Sequence, residues 1–425
     1  MSTFWKRTRP LRFRLGLLLA VIGPGIITAN VDNDAGGITT YSVAGAHYGY
    51  SLLWMMPLVV IALIIIQEMS ARLGVVTGKG LADLMRESLG LRITALVLGL
   101  LLFVNLANTV SEFAGVAASL EIFGVSKYIS VPIAAFLVWL LIVKGNYKTV
   151  ERIFLVASAI YLAYVISGFL ANPPWNEVGK AFISPTFHFD AGYVTIFVTI
   201  IGTTIAPWMQ FYQQSSIVDK GIKVSEYGYE KVDVIFGSIF AVFVAAFIVI
   251  ACAATLFKEG IRITDAANAA IALRPLAGRF ASTLFALGLL NASLFSAAIL
   301  PLSTSYTVCE AFGWESSVSR KWKDAPVFFS IYTGMIILGA LIILLPIKSL
   351  IQTMMISQTF NGVLLPVILL AMIKLINDKR LMGKFVNRGF LNIVTWIVVV
   401  ILIILAMILV IATFFPQVFT ALGLG

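Results

Sequence analysis

The sequence predicts an all-α integral membrane protein with about eleven transmembrane helices, and three observations support this fold class. Of the 425 residues, 60% are hydrophobic and 12% are charged, with a mean hydropathy of +0.98, a composition suited to lipid. Apolar runs of the roughly 20 residues needed to cross a bilayer recur along the whole chain. The segments between these runs carry most of the Lys and Arg side chains, as membrane loops do.

Eleven candidate spans follow from the apolar runs. They cover residues 15–44, 50–72, 93–123, 128–144, 149–171, 191–217, 230–257, 277–311, 326–346, 349–376 and 391–415. Several are longer than a bilayer is thick, so we expect these helices to tilt, bend or protrude. The basic segment 1–14 resembles the start of a signal peptide, but no small-residue cleavage site follows it, and we expect the first span to be retained.

The basic loops predict the orientation in a plasma membrane. Loops rich in Lys and Arg alternate with loops of little basic charge, so the positive-inside rule predicts a cytoplasmic N-terminus and, after an odd number of spans, an extracellular C-terminus. Segment 258–279 is an exception, because it carries four basic residues on the predicted outer side. Topology and the lipid bilayer therefore explain the net charge of +10, and we expect no nucleic-acid partner.

The first span contains two carboxylates beside a glycine pair. Asp32 and Asp34 lie within the apolar run, just before Gly36 and Gly37. Because an ionised carboxylate at mid-bilayer is costly unless it is paired or faces a wet cavity, a cation site is the default interpretation. Paired glycines weaken a helix and free backbone carbonyls, so Gly36 marks the expected break. An extracellular loop between two short helices is the alternative, although residues 15–28 alone are too short to span.

The sixth span carries a second interruption. Pro207 removes a backbone donor and clashes with the preceding turn, so the helix should break between Thr203 and Ala206; a simple proline kink is the alternative. Two broken helices at matching positions of two five-span halves indicate an inverted-repeat transporter whose site lies where the breaks meet. The predicted units are a first repeat at 15–171, an extracellular loop at 172–190, a second repeat at 191–376, and a cytoplasmic loop with the eleventh helix at 377–425.

Several segments resemble the Nramp family of divalent-metal transporters. The run GPGIITANVDNDAGGITTYSVAGAHYGYSLLWMMPLVV is similar to its first two spans and QEMSARLGVVTGKGLADLMRE to the helix that follows them. The segments SEFAGVAASLEIFG, KTVER and SQTFNGVLLPVILL extend the similarity over nearly the whole chain. The resemblance implies a LeuT-like architecture of two inverted five-helix repeats plus one extra helix, with a metal site at broken helices one and six.

The resemblance also implies the ligands of that site. Asp34 matches the charged ligand of the family. Val31 and Thr203 match residues that offer backbone carbonyls, and Thr203 adds a hydroxyl. Gln358 matches a polar residue that approaches the metal during occlusion, and Asn361 lies one helical turn further on, where both side chains can bind metal-held water.

The chain departs from the family pattern at two ligands. The motif Asp-Pro-Gly-Asn reads Asp-Ala-Gly-Gly from Asp34, so Gly37 replaces the Asn ligand. The motif Met-Pro-His reads Ala-Pro-Trp, so Ala206 replaces the thioether ligand and Trp208 replaces a histidine. Asp32 has no counterpart; it either lines the outer vestibule or lies on a face away from the site.

These departures predict the substrate. A thioether favours soft transition metals over hard cations, and Ala206 removes that preference. Mg²⁺ surrenders its water reluctantly and is held through one or two carboxylates, so a roomy oxygen-lined site suits it. The pattern resembles the magnesium-transporting branch related to Nramp, with Mn²⁺ also accepted. The alternative is a proton-coupled carrier that still moves Mn²⁺ or Fe²⁺.

Proton coupling is not expected. Coupled relatives carry titratable groups where this chain has Trp208, Gln213 and Thr109, and no histidine lies inside a predicted span. Glu112 remains, either as a proton carrier or as the partner of another helix. Uptake does not require protons, because two positive charges that cross about 100 mV gain roughly 4.6 kcal/mol.

Other classes of protein have little support in the sequence. It contains no phosphate-binding loop, no nucleophile elbow and no His/Cys cluster among its two histidines and two cysteines, so we expect neither an enzyme nor a bound cofactor. A non-transporting sensor or scaffold and a sodium-coupled carrier of organic solutes stay open as alternatives. The sequence leaves the oligomeric state open, with a monomer as the simplest expectation.

Overall fold

A computed structural model describes residues 28, 31–144, 158–188, 190–387 and 389–414. All regular secondary structure within these ranges is helical. The first part of the chain forms helices α1 (Ala35–Tyr48), α2 (Met55–Thr77), α3 (Leu81–Leu89), α4 (Leu91–Glu121), α5 (Lys127–Lys144), α6 (Leu162–Leu170) and α7 (Trp175–Ile183).

The second part of the chain continues with longer helices. These are α8 (Ala191–Thr204), α9 (Pro207–Asp219), α10 (Tyr227–Cys252), α11 (Ala281–Phe312), α12 (Pro326–Leu344), α13 (Leu350–Ile376) and α14 (Gly389–Phe414). Helix α10 continues as a π-helical turn to Phe257, and short helical turns occupy Ala266–Ala270, Arg274–Ala277 and Lys379–Met382.

Nine segments of the described chain are long and apolar enough to cross a membrane. They correspond to predicted spans two to four and six to eleven, with α8 and α9 together forming span six. The first and fifth predicted spans include residues outside the described ranges, so their full lengths stay predictions. The all-helical membrane fold is confirmed. The segment 172–190, predicted as a loop, contains the short helix α7.

Helix α1 lies at the centre of the bundle. Every residue from Ala35 to Ala46 is buried, and the helix contacts α4, α8, α10 and α13. The stretch from Ala35 to Ala46 contains no charged residue and mostly small side chains, which allows neighbouring helices to pack closely around it. Helix α14 lies at the periphery of the bundle, because only 22% of its most apolar 18-residue stretch is buried.

Both predicted helix breaks are present. Val31 and Asp32 are helical, Asn33 and Asp34 form a turn and a bend, and α1 begins at Ala35. The first break therefore lies two residues before Gly36, which occupies the first turn of α1. In the sixth span, Ile205 and Ala206 separate α8 from α9.

Candidate functional site

The first break turns backbone groups toward its own carboxylate. Asp34 has an extended backbone (φ −70°, ψ −175°) and caps α1, and its Oδ1 accepts a hydrogen bond from the Gly37 amide at 2.6 Å. The Ala35 amide donates to Glu112 Oε2 at 3.3 Å. In a continuous helix the Ala35 amide would donate to the Val31 carbonyl. Because Asp34 lies in a bend and the Ala35 amide donates to Glu112, the Val31 carbonyl lacks this hydrogen bond. That carbonyl is available to a cation.

The second break frees a carbonyl for a different reason. Pro207 is the first residue of α9, and it has no N–H to donate to the Thr203 carbonyl four residues earlier. The Thr203 hydroxyl is 98% buried and has no hydrogen-bond partner among the described residues. Ala206 is the N-cap residue of α9 and is also buried. The sixth span therefore offers two oxygen atoms at its break.

The two breaks meet at Gly37. A Cβ atom added there would lie 3.2 Å from the Thr203 hydroxyl, 3.3 Å from Asp34 Oδ1 and 2.5 Å from the Asp32 carbonyl oxygen. The Tyr41 hydroxyl, one turn along α1, is 2.7 Å from that of Thr204 and joins α1 to the end of α8. Gly37 is therefore the point at which oxygen atoms from both breaks converge.

Helix α13 closes this point from a third side. Gln358 Nε2 lies 3.4 Å and 3.3 Å from the two carboxylate oxygens of Asp34. This approach requires Gly36, because any Cβ there would overlap the Gln358 amide. Gly202 and Gly362 allow α8 and α13 to cross at backbone contact. The role of Gly36 is therefore close packing against Gln358.

An amide network continues from Gln358 to α4. Asn361 Nδ2 donates to Gln358 Oε1 at 2.7 Å, and the amides of Asn361 and Asn108 exchange hydrogen bonds of 3.0 Å and 3.1 Å. Asn108 was not singled out from the sequence. The sequence feature that could have identified it is the presence of two asparagines, Asn105 and Asn108, within an apolar span. The network holds Gln358 in place beside Asp34.

Three acidic side chains are buried near the first break without a basic partner among the described residues. Asp32, Asp34 and Glu112 are each at least 96% buried, and no ion pair involves them in the described part of the chain. Both carboxylate oxygens of Asp32 and Oε1 of Glu112 accept no hydrogen bond there. Within the same ranges no three His, Cys, Asp or Glu side chains group as metal ligands. A bound cation therefore depends on carboxylate, carbonyl, hydroxyl and water oxygens.

A cavity of about 840 Å³ lies between the end of α4 and the start of α13. Its lining includes the acidic side chains Glu121 and Asp265 and the basic side chains Lys127 and Lys348. The α13 residue Gln352 also lines it and precedes Gln358 by six residues, about 9 Å along a helix. The cavity is thus a candidate entrance to the site.

Two residues bear on the question of proton transfer, Trp208 and His47. Trp208 is buried in α9, where its carbonyl accepts a hydrogen bond from Ser303 at 3.1 Å and its ring contacts Tyr212. Helix α1 extends beyond the predicted end of the first span and includes His47 in its last turn. His47 lies outside the predicted span 15–44, which contains no histidine. His47 is thirteen residues from Asp34, about 20 Å along the helix.

The chain is similar to known transporters over almost its full length. It is 27% identical over 416 residues to the divalent metal cation transporter MntH of Bacillus subtilis, and 29% identical over 423 residues to MntH of Staphylococcus saprophyticus, with 93% of each chain covered. A solved manganese transporter of Eremococcus coleocola superposes with a TM-score of 0.73 at 22% identity, over 98% of this chain and 90% of that one.

The same fold extends to a more distant structure. MHP1, a nucleobase-cation-symport-1 family transporter, gives a TM-score of 0.54 at 16% identity over 95% of this chain and 90% of that one. These likenesses show the LeuT-like fold, and the relatives named here are transporters rather than enzymes. The profile of the Nramp family, described as natural resistance-associated macrophage protein-like, matches residues 25–412, and the chain therefore belongs to the Nramp family.

Proposed function

We propose that this protein is a secondary transporter that takes up divalent metal ions, chiefly Mg²⁺ with part of its water, and that it also accepts Mn²⁺. The names of its relatives support a divalent substrate, because they are called divalent metal cation and manganese transporters. The observation that carries the proposal is the set of oxygen donors around Asp34. The Asp34 carboxylate, the Thr203 hydroxyl and the Asp32 carbonyl converge near Gly37, and the freed carbonyls of Val31 and Thr203 belong to the same two breaks.

The preference for Mg²⁺ follows from what the site offers. Ala206 stands where the family pattern has a thioether, so that position offers no soft ligand that would favour binding of a transition metal. Mg²⁺ requires oxygen ligands and keeps several waters. The Gln358 amide, held by Asn361, can bind such a water beside Asp34. At Ala206 the chain lacks the bulk of a longer side chain, whereas the space beside Gly37 is closely lined by oxygen atoms of Asp32, Asp34 and Thr203.

We further propose that uptake is driven by the membrane potential alone. The protein acts in the plasma membrane, as a monomer in the simplest case, with a cytoplasmic N-terminus and an extracellular C-terminus. A divalent ion that crosses about 100 mV gains roughly 4.6 kcal/mol, which is sufficient for accumulation. No protein cofactor is needed for this movement.

A proton-coupled carrier of Mn²⁺ or Fe²⁺ is the second candidate. The contact between Glu112 and the Ala35 amide favours it, because this contact places a second carboxylate directly beside the first break. A sensor or scaffold that does not transport is the alternative from another class.

Flux into proteoliposomes distinguishes these functions. The purified protein is reconstituted, the voltage is fixed with potassium and valinomycin, and entry of Mg²⁺ and Mn²⁺ is followed with dyes. We expect voltage-dependent entry of both ions, with empty liposomes as the control. Entry of Mn²⁺ without Mg²⁺ contradicts the magnesium assignment, and entry of neither supports the sensor or scaffold.

A further inference from the structure

Asp32 is a buried carboxylate that the site described above does not use. It lies two residues before Asp34, in the last helical turn before the first break. The side chain is 98% buried, so it faces protein rather than lipid. Neither carboxylate oxygen accepts a hydrogen bond within the described part of the chain. Among the described residues, the Asp32 carboxylate therefore has none of the hydrogen bonds or ion pairs that a buried ionised carboxylate normally requires.

The groups around Asp32 increase this imbalance. Asp34 and the Tyr41 phenol lie within electrostatic reach of Asp32, and none of the basic side chains in the described ranges forms an ion pair with it. The neighbouring Asn33 is bound elsewhere, because its Nδ2 contacts the Ala241 carbonyl of α10 at 3.5 Å. Asn33 therefore donates its amide to α10 and not to Asp32.

Two adjacent buried carboxylates repel each other unless a cation lies between or beside them. A divalent cation neutralises both, whereas a monovalent cation leaves one charge uncompensated. The Asp32 carbonyl and the Thr203 hydroxyl already converge near Gly37 with Asp34 Oδ1. The backbone of Asp32 is thus part of the oxygen-lined space, and its carboxylate extends from the same turn.

We propose that Asp32 is a second anionic anchor, which holds the water shell of a divalent cation while Asp34 provides the direct ligand. This inference rests on the proposed function and adds a residue to it. A carboxylate that binds metal-held water stabilises an ion in proportion to how much water the ion keeps. Asp32 therefore favours Mg²⁺ over Mn²⁺, because Mg²⁺ dehydrates less readily.

The test measures binding to the purified full-length protein by titration calorimetry. Asp32→Asn removes the charge and keeps the shape, and Asp32→Glu restores the charge. Asn33→Ala is the matched control in the same break. We expect Asp32→Asn to weaken Mg²⁺ binding about tenfold or more and Mn²⁺ binding about threefold or less, while Asp32→Glu and Asn33→Ala stay within about threefold of wild type.

A second variant covers the case in which Asp32→Asn fails to fold. Asp32→Ser also removes the charge and has a smaller side chain, so the proposal expects the same loss of Mg²⁺ affinity. A folded Asp32→Asn or Asp32→Ser variant with wild-type Mg²⁺ affinity overturns the proposal.

These results separate the two proposals. If the wild type binds Mn²⁺ and not Mg²⁺, the magnesium assignment fails, and Asp32 is tested with Mn²⁺ alone. A loss of Mn²⁺ affinity in Asp32→Asn that Asp32→Glu restores then supports the anchor. Equal affinities of wild type and Asp32→Asn exclude it. If the wild type binds neither ion, both proposals are wrong.

Discussion

Two of the regions that bury acidic side chains compensate the charge in opposite ways. At the junction of α2, α10 and the segment before α14, Arg72 bonds to Glu68 at 3.1 Å, to the Phe385 carbonyl at 2.9 Å and to the Asn387 side chain. The Tyr227 hydroxyl donates to the other oxygen of Glu68. Both carboxylate oxygens therefore have partners.

The helix breaks present the contrasting case. Asp32, Asp34 and Glu112 are buried together, and no basic side chain of the described residues pairs with them. A paired buried charge has a structural role, because removal of one partner leaves the other charge buried without compensation. An unpaired buried carboxylate in a membrane protein is a candidate site for a cation that arrives from outside. The comparison thus contrasts a structural joint with the proposed cargo site.

The largest expected effect is the loss of transport in Asp34→Ala. This variant removes the carboxylate that caps α1 and faces Gln358, so Mg²⁺ entry into proteoliposomes should fall to the level of empty liposomes. The melting temperature in detergent should not fall greatly, since removal of an unpaired charge relieves repulsion and offsets the lost cap. Near-normal uptake by a folded Asp34→Ala protein would exclude Asp34 from the site.

The paired cluster should respond in the opposite way. Arg72→Met leaves Glu68 buried without its counter-charge and should lower the free energy of unfolding by about 3–5 kcal/mol. The double variant Glu68→Gln with Arg72→Met should recover part of this loss, because no charge remains unpaired. Thermal unfolding followed by tryptophan fluorescence measures both. If Arg72→Met is as stable as wild type, the distinction between joint and cargo site is wrong.

A smaller effect is expected from a change in ligand softness. Ala206→Met adds a thioether at the second break and should tighten Cd²⁺ and Mn²⁺ binding about tenfold while it slows Mg²⁺ uptake. Ala206→Leu is the matched control, because it adds similar bulk without sulfur. Equal metal affinities of the two variants would show that size alone matters.

Addition of Gly37→Asn to Ala206→Met is expected to disturb the first helix break itself. A Cβ at Gly37 would lie 2.5 Å from the Asp32 carbonyl oxygen, a backbone atom that has little freedom to move. We therefore expect Ala206→Met with Gly37→Asn to lose stability relative to Ala206→Met alone. Equal melting temperatures of the two proteins would contradict this expectation.

The smallest signal should be proton movement. With the voltage fixed, Mg²⁺ influx should proceed without a matching change in internal pH, and Glu112→Gln should not change this ratio. Acidification that follows the metal and disappears in Glu112→Gln would instead identify Glu112 as the proton carrier. Its contact with the Ala35 amide makes Glu112 the residue to test first.

The sequence by itself determined the helical membrane fold and both helix breaks. These features are local: Pro207 lacks an N–H wherever it occurs in a helix, and Asp34 is costly in any apolar span. The position of the first break was less certain. Glycine composition predicted it at Gly36, whereas the cap formed by Asp34 places it two residues earlier.

Only the tertiary structure decided which side chains surround Asp34. Gln358 is separated from it by 324 residues and Asn108 reaches it through Asn361, contacts that no local pattern encodes. It also decided that Asp32 faces protein. In a membrane, lipid and protein interior are both apolar, so the periodicity of hydrophobic residues does not reveal which helix face is buried. The burial of Asp32 supplied that information.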